Sequence, residues 1–291
     1  MMRTSNAFLV GCVLAITALQ QPAQSQSLLD GIEVAPLVVT PVSATFKDTR
    51  IINAQSNETP GKNVLHFVIA HRFGQINEGA YALWGLDNAS MRMAFDYGIT
   101  DRLAVGVARS TFQKTYEANI KWRALRQNSA NSMPISVTLY SVAMANGLRW
   151  SDPTRENYFS SRLSYVNQAV IAKKWGSKLS LALIPSFIHR NLVESLSDAH
   201  DQWTLGAGGR YKVTSRASIN AEYHYALAGL PTDHVNSLSL GMDIETGGHV
   251  FQLHVTNSQG MFERAFLTET GGRWRDGALY FGFNLSRVFD L

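Results

Sequence analysis

Between Met91 and Leu125 the chain alternates with a period of two, three times in succession. Met91, Met93, Phe95 and Tyr97 alternate with Arg92, Ala94, Asp96 and Gly98. After the turn at Ile99, Thr100 and Asp101, Leu103, Val105 and Val107 alternate with Arg102, Ala104, Gly106 and Ala108. Tyr116, Ala118, Ile120 and Trp122 then alternate with Glu117, Asn119, Lys121 and Arg123. A repeat of two places successive side chains on opposite faces, so these runs are antiparallel strands joined by short connections. One face is bulky and apolar. The other is small, polar or charged. A soluble sandwich would bury the apolar face against a second sheet. A membrane barrel turns it to lipid and keeps the charged face in a wet lumen.

The alternation begins at Val64 and continues to the C-terminus. It predicts twelve strands near 64–72, 91–97, 102–110, 116–124, 135–144, 158–172, 179–188, 202–213, 217–227, 238–245, 250–256 and 278–290. Most have the length that a tilted membrane-spanning strand requires. The connections sort by length. Those at 98–101, 173–178, 214–215 and 246–248 are tight, while 73–90, 145–157, 189–201, 228–237 and 257–277 are long. The exceptions are 125–134, which is longer, and 111–115, which is short. Short turns at one end and long loops at the other suit a transmembrane barrel with periplasmic turns and extracellular loops. An even strand count puts both chain ends on the short-turn side. Aromatics near strand ends, namely Tyr97, Tyr116, Trp122, Phe159, Trp175, Trp203, Tyr211, Tyr225 and Phe289, suit two interfacial girdles.

Composition enters through the first 62 residues. The longest apolar run, Ala7–Leu19, is too short to span as a helix. Arg3 precedes it, and Ala23, Gln24 and Ser25 follow with small residues spaced for cleavage. This predicts a secretory signal peptide over 1–25 and a mature chain starting near Gln26. Leu9, Val10, Gly11 and Cys12 resemble a lipoprotein cleavage box, but the apolar run continues past Cys12. Residues 26–62 carry Pro36, Pro41 and Pro60 and one alternating piece, 44–53. They suit either a periplasmic lead-in or a strip inside the lumen. The barrel itself is expected over 63–291.

Cys12 is the sole cysteine of 291 residues, so a disulfide, a thiolate nucleophile or a cysteine-ligated zinc is not expected in the mature chain. The net charge of +4 is mild, and basic residues are not interleaved with stacking aromatics, which argues against a nucleic-acid footprint. The pattern calls for no cofactor.

The stretches ATFKDTRIIN (44–53), HRFGQIN (71–77) and YGITDRLAVGVARS (97–110), with FGFNLSRVF (281–289), together resemble an uncharacterised family of membrane-bound β-barrel domains in Gram-negative outer membranes. The resemblance runs from Ala44 to the C-terminus. It implies a fold and a location and carries over no catalytic residues. The apolar, aromatic-ended last strand is similar to the signal read by the barrel-assembly machinery. Outer-membrane lipid and lipopolysaccharide are the partners such a location implies.

Strand parity points Arg92, Asp96, Arg102, Glu117, Lys121, Arg123, Arg162, Arg210, Glu222 and His224 into the lumen. Two readings of this set stand. One is a basic-leaning pore that favours small anionic solutes. The other is a set of cross-barrel ion pairs that fill the interior. Glu222 and His224, two apart on one strand, have the spacing to share a proton or a metal, though no third ligand is fixed. As ordinary lumen residues they simply hydrogen-bond. An outer-membrane hydrolase would need a serine and histidine facing lipid near the outer leaflet, and Ser110 and His189 are the nearest approach. Gly106, Gly206 and Gly208 suit backbone curvature.

Two long connections are unusually apolar. One holds Tyr81, Trp84 and Leu86, the other Met261, Phe262, Phe266 and Leu267. The first and last strands must pair to close a barrel, so these loops are expected side by side. Burying one another, they are expected to fold over or into the extracellular mouth and narrow it, with Glu78 or Asp87 pairing to Arg264; the rival reading is an exposed apolar patch that binds a partner protein. The function this supports is passage of small solutes through a porin-like or gated barrel. A non-conducting structural or adhesin-like barrel is the competing reading.

Overall fold

The computed structural model describes residues 39–291 apart from 194, 196, 197 and 231–233. The signal peptide, its cleavage point and residues 26–38 lie outside the described residues. Twelve strands follow in order: β1 (Val64–Gln75), β2 (Ala89–Gly98), β3 (Leu103–Ser110), β4 (Tyr116–Leu125), β5 (Ser136–Ala145), β6 (Leu163–Trp175), β7 (Leu179–Arg190), β8 (Asp201–Lys212), β9 (Ala217–Ala228), β10 (Ser237–Thr246), β11 (His249–Thr256) and β12 (Tyr280–Asp290). Each pairs with its chain neighbours, and β1 pairs antiparallel with β12, so the sheet closes as an up-and-down barrel. At the seam Leu65 lies opposite Phe289 and Ile69 opposite Leu285. Closure removes the unpaired edge that an open sheet would present.

The strand ends agree with the period-two reading to within a few residues at most positions. The main departure is β6. It starts at Leu163 because Phe159–Arg162 winds into a single short 3-10 turn. One end of the barrel carries 99–102, 126–135, 176–178, 213–216 and 247–248. The other carries 76–88, 111–115, 146–162, 191–200, 229–236 and 257–279. These are called the turn end and the loop end below.

Parity decides the faces. Phe95, Val105, Val107, Ile120, Leu181, Leu183 and Ile219 are exposed on the outside, whereas Arg92, Ala94, Ala104, Lys121, Ala182 and Asn220 are buried inside. An apolar exterior on a closed sheet is what hydrocarbon selects, since every strand amide is already bonded within the wall. Trp122, Trp175, Tyr211 and Phe289 are exposed toward the turn end, and Tyr116, Phe159, Trp203 and Tyr225 toward the loop end.

The core sits in the lumen, which is filled by two segments. Residues 44–57 enter as a hairpin before β1. Between β11 and β12, the six-residue helix α1 (Glu263–Thr268) is buried along its whole length. Phe46, Ile51 and Ala54 of the hairpin pack on Val170, Ala172, Ala182 and Ile184. Phe262, Ala265, Phe266 and Leu267 pack on Tyr140, Val142, Met144, Val166 and Ile188. The inner face of β5–β7 is therefore apolar in patches. The inner faces of the remaining strands are mostly polar.

Candidate functional site

The hairpin is built locally around one reversal at residues 51–54. Arg50 bridges to Gln55, Ile51 N–H donates to the Ala54 carbonyl at 2.8 Å, and Ser56 N–H donates to the Thr49 carbonyl at 2.9 Å. This leaves the amides of residues 52–54 aimed outward from the tip. Glu222 on β9 collects all three: Ile52 N–H at 3.1 Å, Asn53 N–H at 2.9 Å and Ala54 N–H at 2.9 Å. A carboxylate has the acceptor capacity to satisfy several donors, and the bonds are charge-assisted. The tip carbonyls are met as well. Asn284 donates to the Ile52 carbonyl at 3.0 Å, and Gln252 donates to the Ile51 carbonyl at 2.5 Å.

Small residues in the wall make the room. A Cβ at Gly208 would stand 2.4 Å from Ile51 Cδ1, and one at Gly241 would stand 3.1 Å from Ile52 Cδ1. At Gly206 it would meet the His224 ring at 2.6 Å, and at Gly106 the Asp96 carboxylate at 2.0 Å. These glycines are clearances for lumen contents, rather than for curvature alone.

Charged wall groups tie the hairpin from several sides. Arg210 donates to the Ala44 and Thr45 carbonyls at 3.1 and 3.2 Å. Lys121 donates to the Thr49 carbonyl at 2.8 Å and to Gln55 Oε1 at 3.0 Å. Arg123 pairs with Glu58 at 3.2 Å, His66 with Asp48 at 2.8 Å, and Lys47 with Glu245. Arg92 and Glu117 form a two-pronged pair within the wall at 2.8 and 2.7 Å. Asp96 accepts from Asn119 at 3.2 Å.

Arg72 joins the hairpin to the last loop. Its guanidinium is fully buried and donates to the Ser258 carbonyl at 2.6 Å and to Asn53 Oδ1 at 2.8 Å. Glu263 of α1 completes the junction, pairing with Arg50 at 2.8 Å and accepting from Gln55 at 2.8 Å. The two segments therefore touch in mid-lumen.

Of the residues that parity points inward, Arg92, Glu117, Lys121, Arg123, Arg210, Glu222 and His224 are buried inside the barrel, and Asp96 is partly so. Two are placed otherwise. Arg102 is exposed in the 99–102 turn, because β3 begins only at Leu103. Arg162 lies before β6 at the loop end, stacked over Trp150 at 3.9 Å. Glu222 and His224 do not converge on a shared ligand: Glu222 faces the hairpin amides, and the His224 ring lies 5.1 Å from that of Phe266. Among the described residues no cluster of three or more metal-ligating side chains occurs.

The two apolar loops do not cover one another. Tyr81 is fully exposed, and Trp84 and Leu86 are about half exposed, at 55% and 45%. Met261, Phe262, Phe266 and Leu267 are buried in the lumen instead. The inner face of β5–β7 offers them an apolar surface nearer than the neighbouring loop. Arg264 pairs with Glu269 and Gln113, not with Glu78 or Asp87.

Ser110 is buried inside the wall and accepts from Phe112 N–H at 3.2 Å, while His189 lies on β7 and pairs with Asp201 at 2.6 Å. The two do not meet, so they form no nucleophile–base pair.

Arg72, Asn53, Asn284 and Glu263 belong to this candidate site, and sequence reasoning leaves them out. Parity places Arg72 inward, but apart from Asn53 its side-chain partners are 182–188 positions away. The stronger missed signal is in β6 and β7, where 163–172 and 179–188 carry apolar residues on both faces. In a barrel wall whose outer face meets lipid, an apolar inner face marks a place where something apolar fills the lumen.

A closed antiparallel barrel with a lipid-facing exterior and an occupied lumen defines a membrane β-barrel. The chain belongs to the membrane bound beta barrel domain family DUF5777, whose model matches residues 46–289. Among solved structures it is similar to a NanC porin, with a TM-score of 0.49 and 7% identity over 78% of this chain and 99% of that one. It is also similar to the COG4313 outer membrane channel from Pseudomonas putida F1, with a TM-score of 0.47 and 15% identity over 80% and 97% of the two chains. A third similar structure is outer membrane phospholipase A from Escherichia coli, with a TM-score of 0.41 and 12% identity over 77% and 92%. No curated protein matches the sequence.

Proposed function

We propose that this protein is an outer-membrane barrel closed at rest, through which small solutes pass when the N-terminal hairpin leaves the lumen. The observation that carries this is the way the hairpin is held. Apart from apolar contacts of Phe46, Ile51, Ile52 and Ala54, its contacts are mostly hydrogen bonds and ion pairs, to wall side chains and to Glu263 of α1. Such groups can exchange a protein partner for water, each charge-assisted bond contributing about 1.5–3 kcal/mol net.

The wall above the tip also has reason to be wet. Gln168 Oε1, Gln202 Oε1, Thr204 Oγ1 and Ser237 Oγ are buried without a partner among the described residues. An unpaired buried polar atom costs about 1–3 kcal/mol, which hydration of an open lumen would relieve.

On this reading the chain is exported by a cleaved signal over 1–25, inserted by the barrel-assembly machinery and surrounded by lipid and lipopolysaccharide. No residue set on the wall is assigned to catalysis.

The test is planar-bilayer conductance of the full-length protein beside a variant lacking residues 44–57. The intact protein should be mostly closed, and the deletion variant should give discrete open steps. A thiol pair at Ile51→Cys and Gly208→Cys, oxidised, should hold the intact protein shut. A deletion variant that keeps heat-modifiable gel migration yet stays silent rejects passage. It favours a non-conducting scaffold, a reading supported by the apolar packing of α1.

A further inference from the structure

At the loop end, above α1, the β5–β6 loop and the end of β7 enclose a cavity of about 310 Å³. Arg149, Arg162, Arg190 and Arg264 all line it, and none of its described lining residues is acidic. Three of the four are held from behind. Arg162 donates to the Asn146 carbonyl at 2.7 Å and to the Leu148 carbonyl, with its guanidinium carbon 3.9 Å from the centre of the Trp150 ring. Arg190 pairs with Glu269 at 3.2 Å, and Arg264 pairs with the same carboxylate and with Gln113. Arg149 makes no hydrogen bond or ion pair with a described residue in this structure, yet it lines the same space. Trp150 and Leu192 supply an apolar side to the cavity.

We propose that this vestibule is a binding site for an organic anion, a phosphate or carboxylate carried on a ring or short apolar body. Arg149 and Arg162 face this space without an ion pair to any described carboxylate, which leaves a local excess of positive charge among the described residues. That excess attracts an anion into a concave site more strongly than it would on a flat surface. The planar fork of arginine matches both oxygens of a carboxylate or phosphate. Because Arg162, Arg190 and Arg264 are already fixed, little side-chain freedom remains to be lost on binding. The apolar side then selects a ligand with a body to bury, over a bare inorganic ion. Two sources carry this chemistry: the phosphorylated headgroup of the surrounding lipopolysaccharide, and a free solute arriving at the mouth. The site does not depend on the lumen opening.

Calorimetric titration of the full-length protein in zwitterionic nanodiscs, with phenyl phosphate as probe and benzyl alcohol as its neutral counterpart, tests the proposal. Phenyl phosphate should bind saturably at one site, more weakly as salt rises, and benzyl alcohol should not bind. Arg149→Ala should weaken binding about tenfold, Arg149→Glu should abolish it, and Arg149→Lys should retain part of it. Heat-modifiable migration controls for folding of each variant. Lost phenyl phosphate binding in nanodiscs that contain lipopolysaccharide would identify the headgroup as occupant. Unchanged binding there would identify a free solute. Absence of phenyl phosphate binding in zwitterionic nanodiscs, equal binding of benzyl alcohol, or full binding by the folded Arg149→Glu variant overturns the proposal.

Discussion

Residues 49–55 and residues 261–267 occupy one lumen, yet the first hang mainly on polar wall groups, with Ile51 and Ala54 on a small apolar patch, and the second pack mainly into an apolar wall. The hairpin tip is met by Glu222, Gln252 and Asn284, and its flank by Lys121. The last loop buries Phe262, Phe266 and Leu267 against Tyr140, Val142, Met144, Val166 and Ile188. Water competes well for the first kind of contact and poorly for the second. The comparison teaches that one barrel interior contains a hairpin held largely by polar contacts and a small hydrophobic core, side by side. They are not independent, because Arg50, Gln55 and Arg72 reach across to Glu263 and Ser258.

The largest effect that sharpens this contrast is expected at the helix. Phe266→Ala removes a fully buried ring and should cost about 3–5 kcal/mol of local stability. Hydrogen exchange in detergent should then speed up over 261–270 and much less over 49–55. Equal acceleration in both segments would break the distinction and make them one cooperative unit.

Glu222→Gln comes next. It keeps the shape but replaces one acceptor oxygen with a donor and removes the charge, so the hairpin should lose about 1–3 kcal/mol. Exchange at the amides of residues 52–54 should rise while α1 stays protected. If α1 loosens first, the hairpin is not hung on Glu222.

Gly208→Ala is milder. The added Cβ meets Ile51 Cδ1, the end of a flexible side chain, so about 1 kcal/mol is expected. Ile51→Val removes that atom and should restore wild-type exchange in the double variant. Failure of the rescue would show that Gly208 acts through the backbone.

At the small end, Tyr81→Ala should change unfolding in urea by no more than about 0.5 kcal/mol, because Tyr81 touches water on all sides. A larger loss would mean that the first loop supports the last one after all.

Much of the wall was legible in the chain itself. Period two fixes which residues share a face, and a face cannot change without slipping the whole strand. That is why Arg92, Glu117, Lys121 and Glu222 could be pointed inward with no structure in hand. It failed where a residue sits outside a strand, as Arg102 does in its turn and Arg162 does before β6. Loop apolarity was equally visible at Tyr81 and at Phe266, but apolarity names no partner. Tyr81 went to the outside and Phe266 into the lumen, for reasons that lie on β5–β7.

What the sequence determined by itself is the barrel: strand number, facing and the order of the connections follow from local alternation and turn residues. What only the tertiary structure decided is the content of the lumen. Glu222 meets Ala54 across 168 residues, and Asn284 meets Ile52 across 232. Contacts of that span leave no local period, because they depend on closing the sheet first and on the shape of the space that closure leaves.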